Sequence, residues 1–331
     1  MRAAINGFGR IGRQVLRLGL SSKALQFVAI NDLNPSEILA HLFKYDSVHP
    51  TFEGEVKGQQ GSLTIHQQKI SVLAKSEISA LPWKDLKVDL VLECTGRFNS
   101  REEASKHLGQ GAKKVLVSAP CSDADLTVVM GVNEDQLDLK KHHLISNASC
   151  TTNCVAIVLK VLLKHFGIER AFMTTVHSYT NDQRILDLPH KDFRRARAAA
   201  LSIIPTSSGG TKTIVKIFPE LKDRFDGLSI RVPTPDVSLI DVVAELKKGV
   251  TLKDVNEAFK EEAHGRLEPY LGYSEEPLVS SDYIGNSKSA IFDAPLTQVL
   301  DKKWVKVLAW YDNETGFSAR MIDLASYLYG R

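Results

Sequence analysis

The stretch Arg2-Ala3-Ala4-Ile5-Asn6-Gly7-Phe8-Gly9-Arg10-Ile11-Gly12-Arg13 decides the fold of the first half of the chain. Residues 2 to 6 suit a short buried strand, and the run from Arg13 to about Leu20 suits a helix. Between them stands Gly-x-Gly-x-x-Gly. In such a strand–turn–helix, Gly7 permits the tight bend, Gly9 lets the backbone approach a pyrophosphate, and Gly12 lets the helix pack on the strand with its N-terminus facing the anion. The spacing alone is weak evidence, because glycine turns are common. Its context is stronger: a second strand, Phe27 to Ile30, ends in Asn31-Asp32, and Asp32 lies 20 residues after Gly12. A carboxylate there accepts hydrogen bonds from an adenosine ribose and repels a 2′-phosphate. The pattern therefore predicts NAD rather than NADP.

Further along, Val88 to Glu93, Lys113 to Val117, Leu126 to Met130 and His143 to Ser146 read as strands, with a helix over Arg101 to Leu108. This alternation predicts an α/β fold with a doubly wound parallel sheet. Thr95-Gly96 and Ser118-Ala119-Pro120 fall just past strand ends, where such sheets bind ligands. The segment Thr51 to Val72 alternates polar and apolar residues around Gly58 and Gly61, which predicts an antiparallel excursion off the main sheet.

At 331 residues the chain exceeds the roughly 250 to 300 that one core holds, so two domains are expected. Its 43% hydrophobic and 24% charged residues are ordinary globular values, and no apolar run approaches the ~20 residues that cross a bilayer. A net charge of +3 gives no reason to expect a nucleic-acid or membrane-surface partner. Four cysteines, and no signal peptide at Met1-Arg2-Ala3, predict a reducing cytoplasmic setting without disulfides. The Cys150-x-x-x-Cys154 spacing is neither a redox pair nor a usual zinc ligand set, so no metal is expected.

In the second half, Ser146-Asn147-Ala148-Ser149-Cys150-Thr151-Thr152-Asn153-Cys154 leads into a helix-like run to about Phe166 and puts a thiol where that helix begins. Ser149 or Asn147 can cap it, and the opening N–H groups favour negative charge on sulfur, which predicts a lowered pKa for Cys150. Cys154, one turn further in and followed by Val155, Ile157 and Val158, reads as an inert core residue. A strand over Arg170 to Val176 ends at His177, so an imidazole and the thiol both stand at element ends. The long connection from Gln183 to Ser208 carries Arg194, Arg195 and Arg197, and connections of that length usually carry function or an interface. Thr206 to Gly210, ahead of a helix over Thr211 to Phe218, offers hydroxyls and N–H groups to a phosphate. Together with Arg195, Ser149 and Thr151 it suggests an anion pocket beside the thiol, and Arg231, ending a strand over Gly227 to Arg231, is a second anion ligand. Strands near Val237 to Lys247 and Trp304 to Trp310 flank a helix from Thr251 to Ala263. Asn313 lies in a turn before a last helix, Phe317 to Tyr329, and its amide can fix a flat carboxamide.

Over its whole length the chain resembles the phosphorylating, NAD-dependent glyceraldehyde-3-phosphate dehydrogenases of bacteria. The residues that carry the resemblance are Asn6 through Arg13, Asn31-Asp32, Ser146 through Cys154, His177-Ser178-Tyr179-Thr180, Arg231-Val232-Pro233-Thr234-Pro235 and Tyr311-Asp312-Asn313-Glu314, in family order. The resemblance implies a Rossmann-type NAD-binding domain over residues 1–149, completed by the C-terminal helix 314–331. It also implies an α+β catalytic domain with a mostly antiparallel sheet over 150–313. Cys150 would attack the aldehyde with His177 as base, and inorganic phosphate would cleave the resulting thioester to 1,3-bisphosphoglycerate.

By the same resemblance, Gly7, Gly9, Arg10, Ile11, Gly12, Asp32, Lys75, Thr95, Gly96, Ser118 and Asn313 hold NAD. Thr180, Asp182 and Arg231 hold the substrate phosphate, and Ser149, Thr151, Ser208 and Gly209 hold the attacking phosphate, with Arg195 shared. A homotetramer is implied, in which about Ser178 to Leu201 lines a neighbour's cofactor groove. Ser208 stands where relatives commonly have Thr, and Ser76, beside Lys75, where an Arg often lies near the adenine. Two rival readings are an erythrose-4-phosphate dehydrogenase, which resolves its thioester with water, and a redox-sensing or nucleic-acid-binding protein on an NAD fold. The Thr206 to Gly210 run disfavours the first, and the joint presence of Cys150, His177, Asp32 and Asn313 the second.

Overall fold

A computed structural model describes residues 1–330. It divides into two compact units, one built of Met1–Ala148 with the last helix from Ser318 on, the other of Ser149–Phe317.

The first unit opens with β1 (Arg2–Asn6), α1 (Arg10–Gly19), β2 (Gln26–Asn31) and α2 (Ser36–Lys44). There follow β3 (Val56–Gln59), β4 (Ser62–Ile65), β5 (Gln68–Leu73) and β6 (Leu90–Glu93). The short helices α3 (Arg101–Ala104) and α4 (Lys106–Gly109) lead to β7 (Lys114–Val117), β8 (Leu126–Thr127) and β9 (Leu144–Ser146). All nine strands form one sheet in the order β3-β4-β5-β2-β1-β6-β7-β9-β8. From β5 to β8 every pairing is parallel, and the central strands are buried on both faces, which is why β1 and β6 read as unbroken apolar runs. This is the Rossmann-like arrangement expected.

Three expectations need correction. The antiparallel excursion does not leave the main sheet: β5 returns parallel to β2, so β3 and β4 extend the same sheet as its edge. The helix over 101–108 is broken at Ser105, where the Leu108 N–H tightens onto the Ser105 carbonyl at 2.9 Å. The strand expected over 126–130 stops at Thr127, because the Asn133 side chain takes the Val129 N–H (2.8 Å) and donates to the Thr127 carbonyl (3.0 Å). A side-chain amide there satisfies groups that a neighbouring strand would otherwise bind.

The second unit begins with α5 (Cys150–His165) and β10 (Ile168–Ser178), then β11 (Ile204–Ser207), α6 (Gly210–Ile217), β12 (Phe225–Val232) and β13 (Ser238–Leu246). After α7 (Leu252–His264) come β14 (Leu271–Ser274), β15 (Ala290–Asp293), β16 (Gln298–Leu300) and β17 (Trp304–Tyr311), and α8 (Thr315–Tyr329) runs out of it. The sheet order is β11-β12-β10-β13-β17-β15-β14, with β16 paired to β17, and most pairings are antiparallel. Strict alternation along β13 and β17 buries one face, with Ile240, Val242, Ala244, Val305, Val307 and Ala309 inward. The apolar helix α5 packs on that sheet, and Cys154 is fully buried within it. Strands β11, β14, β15 and β16, each three or four residues long, escape the sequence reading. No helix among the described residues is long and apolar enough to cross a membrane.

The glycine turn shows what each glycine is for. Gly7 has φ +92°, and a Cβ there would lie 2.6 Å from the Thr95 nitrogen, whereas one at Gly12 would lie 2.2 Å from the Gly7 carbonyl oxygen. Gly9 has nothing within 4 Å. Gly12→Ala is therefore expected to cost about 1–3 kcal/mol by forcing α1 off β1. Gly9→Ala should stay within about 0.5 kcal/mol of the unaltered chain. Equal destabilisation of the two in denaturant titrations would contradict this division.

Candidate active site

In the first unit the strand ends carry the residues expected to meet a dinucleotide. Helix α1 begins without a side-chain cap at Gly9, so its opening N–H groups at Ile11 and Gly12 face outward, as an anion site requires. The space over Gly9 is open, which leaves its backbone accessible as expected from the sequence. The Asp32 carboxylate accepts from the Phe8 N–H (2.9 Å) and from the Asn34 N–H and amide (3.0 and 2.8 Å), which ties the β2 end to the glycine turn. Arg10 pairs with Asp46. Burial opposes ionisation of Asp46, but the Val48 N–H and Arg10 outweigh it and hold its pKa down to about 2. Thr95, Gly96 (φ +68°) and Ser118 follow β6 and β7, and Lys75 follows β5. These features fit NAD.

In the second unit α5 begins at the thiol. Ser149 is the N-cap, its hydroxyl accepting from the Thr152 N–H at 3.1 Å, and of the two capping candidates it is the one used. Cys150 Sγ lies 3.4 Å from His177 Nε2. The imidazole is almost fully buried at the end of β10, and its Nδ1 lies 2.6 Å from the Ser178 carbonyl. Nδ1 also lies 3.0 Å from Arg231 Nη1, which only donates. The Ser178 carbonyl is the shorter contact and only accepts, and Arg231 Nη1 has that same carbonyl to donate to. The ring proton therefore sits on Nδ1, and Nε2 presents a lone pair to the thiol.

The lowered thiol pKa expected from the sequence is not what the ligand-free geometry gives. Burial pushes the Cys150 thiol up, against the pull of the Arg231 charge and the Thr151 N–H. Burial and the Arg231 charge likewise depress His177 to about 3, with the Ser178 carbonyl opposing. Each group alone thus stays neutral. A charge on either stabilises the opposite charge on the other across 3.4 Å, so the proton moves within the pair rather than out to solvent.

Cationic groups surround this pair. Strands β10 and β12 are parallel, and their register sets His177 beside Arg231. Arg231 Nη1 donates to the Ser178 carbonyl (3.1 Å) and reaches Thr180 Oγ1 (3.5 Å), while its buried Nε has no partner. Arg195 donates to Asp182 (2.6 Å), Thr206 Oγ1 (3.0 Å) and the Ser207 carbonyl (3.3 Å). Asp182 also faces His190 at 3.4 Å, so its carboxylate aims Arg195 and contributes no positive charge itself. Gly210 lies against the start of α5, since a Cβ there would sit 3.5 Å from Thr152 Oγ1 and 3.6 Å from Thr151 Cγ2. The geometry thereby gathers Ser208, Gly209, Ser149 and Thr151 around two helix N-termini. Arg194 and Arg197 stay on the exposed side, Arg197 paired with Asp187.

Two residues here escape a reading by type and spacing. Tyr311, at the end of β17, is buried and exchanges hydrogen bonds with Thr151 and Thr175 hydroxyls at 2.9 Å each. Its ring meets His177 edge-on at 6.0 Å, so one side chain braces both the α5 start and the imidazole. Asp312 accepts from the N–H groups of Gly285, Glu314 and Thr315, which fixes the turn carrying Asn313. Ser238 donates to Asn313 Oδ1 at 2.7 Å. That hydrogen bond orients the amide and takes one of the two lone pairs of Oδ1.

Comparison with known proteins agrees with this chemistry. Residues 1–101 match the family model for the glyceraldehyde 3-phosphate dehydrogenase NAD binding domain, and residues 149–313 match the model for its C-terminal domain. A glyceraldehyde-3-phosphate dehydrogenase of Geobacillus stearothermophilus is 56% identical over 328 residues, covering 99% of this chain and 98% of that protein. Glyceraldehyde-3-phosphate dehydrogenase 1 of Bacillus cereus is 54% identical at the same coverage, and glyceraldehyde-3-phosphate dehydrogenase 2 of Bacillus subtilis 50% identical over 100% of this chain and 97% of that protein. Matched along nearly its whole length by such relatives, the chain belongs to the glyceraldehyde-3-phosphate dehydrogenase family.

Proposed function

We propose that the chain catalyses the phosphorylating oxidation of D-glyceraldehyde 3-phosphate, with NAD and inorganic phosphate, to 1,3-bisphosphoglycerate and NADH. The observation that carries this is the Cys150–His177 pair set among Arg231, Arg195 and the openings of α5 and α6. Cys150 Sγ bonds to the aldehyde carbon while its proton passes through His177 Nε2 to the carbonyl oxygen, giving a hemithioacetal. When bound, NAD supplies the acceptor for the hydride. His177 takes the hemithioacetal hydroxyl proton as the thioester forms, and its Ser178 hydrogen bond keeps the ring in the tautomer that can do so. Attack by a phosphate oxygen then breaks the C–S bond, and the sulfur leaves as a thiolate beside the imidazolium.

Two anions need two cationic sites. Arg231 and Thr180 suit the substrate phosphate, and Ser149, Thr151, Ser208 and Gly209 suit the attacking one. Arg195 serves both, held by Asp182. For NAD, Gly7, Gly9, Arg10, Ile11 and Gly12 suit the pyrophosphate and Asp32 the ribose. Lys75, Thr95, Gly96, Ser118 and Asn313 complete the set.

A homotetramer in the cytoplasm is the assembly this reading favours. Ile185 (84% exposed), Leu186, Leu188, Phe193 (87%), Leu201 and Ile203 stand apolar and open along one connection, as segments that cover a neighbour do.

NADH formation from glyceraldehyde 3-phosphate should collapse without inorganic phosphate; indifference to phosphate would favour the erythrose-4-phosphate dehydrogenase chemistry, in which water resolves the thioester. Removing the base takes away the proton acceptor that touches the sulfur, so His177→Asn should slow alkylation of Cys150 by iodoacetamide at pH 7 by about 10-fold or more and move its pH profile upward. Superimposable profiles would remove His177 from thiol activation. Asp32→Gly should raise kcat/KM for NADP relative to NAD by about 10-fold or more, because the carboxylate no longer repels the 2′-phosphate; an unchanged ratio would contradict the role given to Asp32.

A further inference from the structure

Beneath the strand ends of the first unit lies an enclosed chain of polar groups that the proposed chemistry leaves unused. Glu93, the last residue of β6, has no exposed surface. Its Oε2 accepts from Asn6 Nδ2 at 2.6 Å and faces His107 Nε2 at 3.1 Å. Its Oε1 accepts from the Thr95 N–H at 2.8 Å and from the Thr95 hydroxyl. Trp83 Nε1 lies 2.8 Å from His107 Nδ1, and an indole N–H only donates. Nδ1 is therefore the acceptor, and Nε2 carries the ring proton toward Glu93. Four donors converge on two oxygens.

The chain extends beyond Glu93. Asn6 Oδ1 accepts from Asn31 Nδ2 at 2.7 Å, and the Asn31 amide also bonds the Lys75 carbonyl and N–H at 2.9 Å each. Asn6 immediately precedes Gly7, and Asn31 immediately precedes Asp32. Thr95 is the backbone that a Cβ at Gly7 would strike. One carboxylate thus fixes the ends of β1, β2, β5 and β6 relative to one another, and those four ends present the glycine turn, Asp32, Lys75 and Thr95-Gly96.

We propose that Glu93, with His107 locked in one tautomer by Trp83, is the positioning residue of the NAD site: it touches no cofactor atom and sets the spacing of four backbone segments that do. The inference rests on the cofactor assignments made under the proposed function. Any replacement that keeps the shape but not the acceptors should open that spacing. Glu93→Gln does so, because its NH₂ must face two of the four donors whichever way the amide turns. Trp83→Phe acts from further away, releasing His107 Nδ1 to take the proton and turn a lone pair toward Glu93.

The test is NAD binding by calorimetry alongside steady-state kinetics. Glu93→Gln should raise the Kd for NAD roughly 10- to 100-fold, with KM for NAD following. Trp83→Phe should raise it about 3- to 10-fold. KM for the aldehyde and the NAD-free alkylation rate of Cys150 should stay within about twofold, as independent sites do. A role in stability alone would lower Tm and leave Kd in the folded fraction unchanged, and that result in Glu93→Gln overturns the proposal. Should Glu93→Gln fail to fold, Trp83→Phe decides, with an unchanged Kd again overturning it. Absence of NAD binding by the unaltered chain would sink both this inference and the reading beneath it; normal binding by Glu93→Gln sinks the inference only.

Discussion

A half-buried sulfur and a buried imidazole nitrogen, 3.4 Å apart, are the constraint around which the second unit is arranged. Neither group would hold a charge there alone, since burial raises the thiol and depresses the imidazole. The fold answers with fixed partners rather than solvent. Ser149 caps the helix that presents the sulfur, the Ser178 carbonyl accepts the ring N–H, Tyr311 braces both sides, and Arg231 supplies positive charge that biases the pair toward a thiolate. Such preorganised dipoles stabilise charge in a transition state more than mobile water does, because they need not reorient as it develops.

The anionic substrates need the opposite treatment, a surplus of positive charge that is not already neutralised. Arg231, assigned to the substrate phosphate in the proposed function, donates only to neutral acceptors, the Ser178 carbonyl and the Thr180 hydroxyl. Arg195 is held differently, against a carboxylate that fixes its direction and screens part of its charge. The two guanidiniums also repel one another, one reason that Arg231 sits below the usual arginine range after burial is counted. On the proposed reading, an incoming phosphate would relieve that repulsion, so the cost of holding the cations together would become part of the binding energy.

Much of this was legible in the sequence, and the failures have physical reasons. The glycine turn, the Asp32 strand end, the helix-starting Cys150 and the strand-ending His177 were readable because each is a local pattern in which residue type and position fix one conformation. What was missed depends on residues distant in the chain. Tyr311 reaches Thr151 across 160 positions, and Glu93 gathers Asn6, Thr95 and His107. The thiol pKa differs from the sequence expectation for the same reason: a helix terminus can be seen in a sequence, whereas the desolvation that raises the thiol depends on the whole fold. The strand expected beyond Thr127 failed on a single side chain, Asn133, whose amide did the work of a neighbouring strand.

The parallel pairing of β10 with β12, which aligns His177 with Arg231, has an evolutionary consequence. Ladder hydrogen bonds along eight consecutive residue pairs set that alignment, and the intervening connection through Arg195 and the open apolar residues takes no part in it. Drift in that connection can retune what assembles against the molecule, or which anion it admits, while the proton-handling geometry is inherited unchanged.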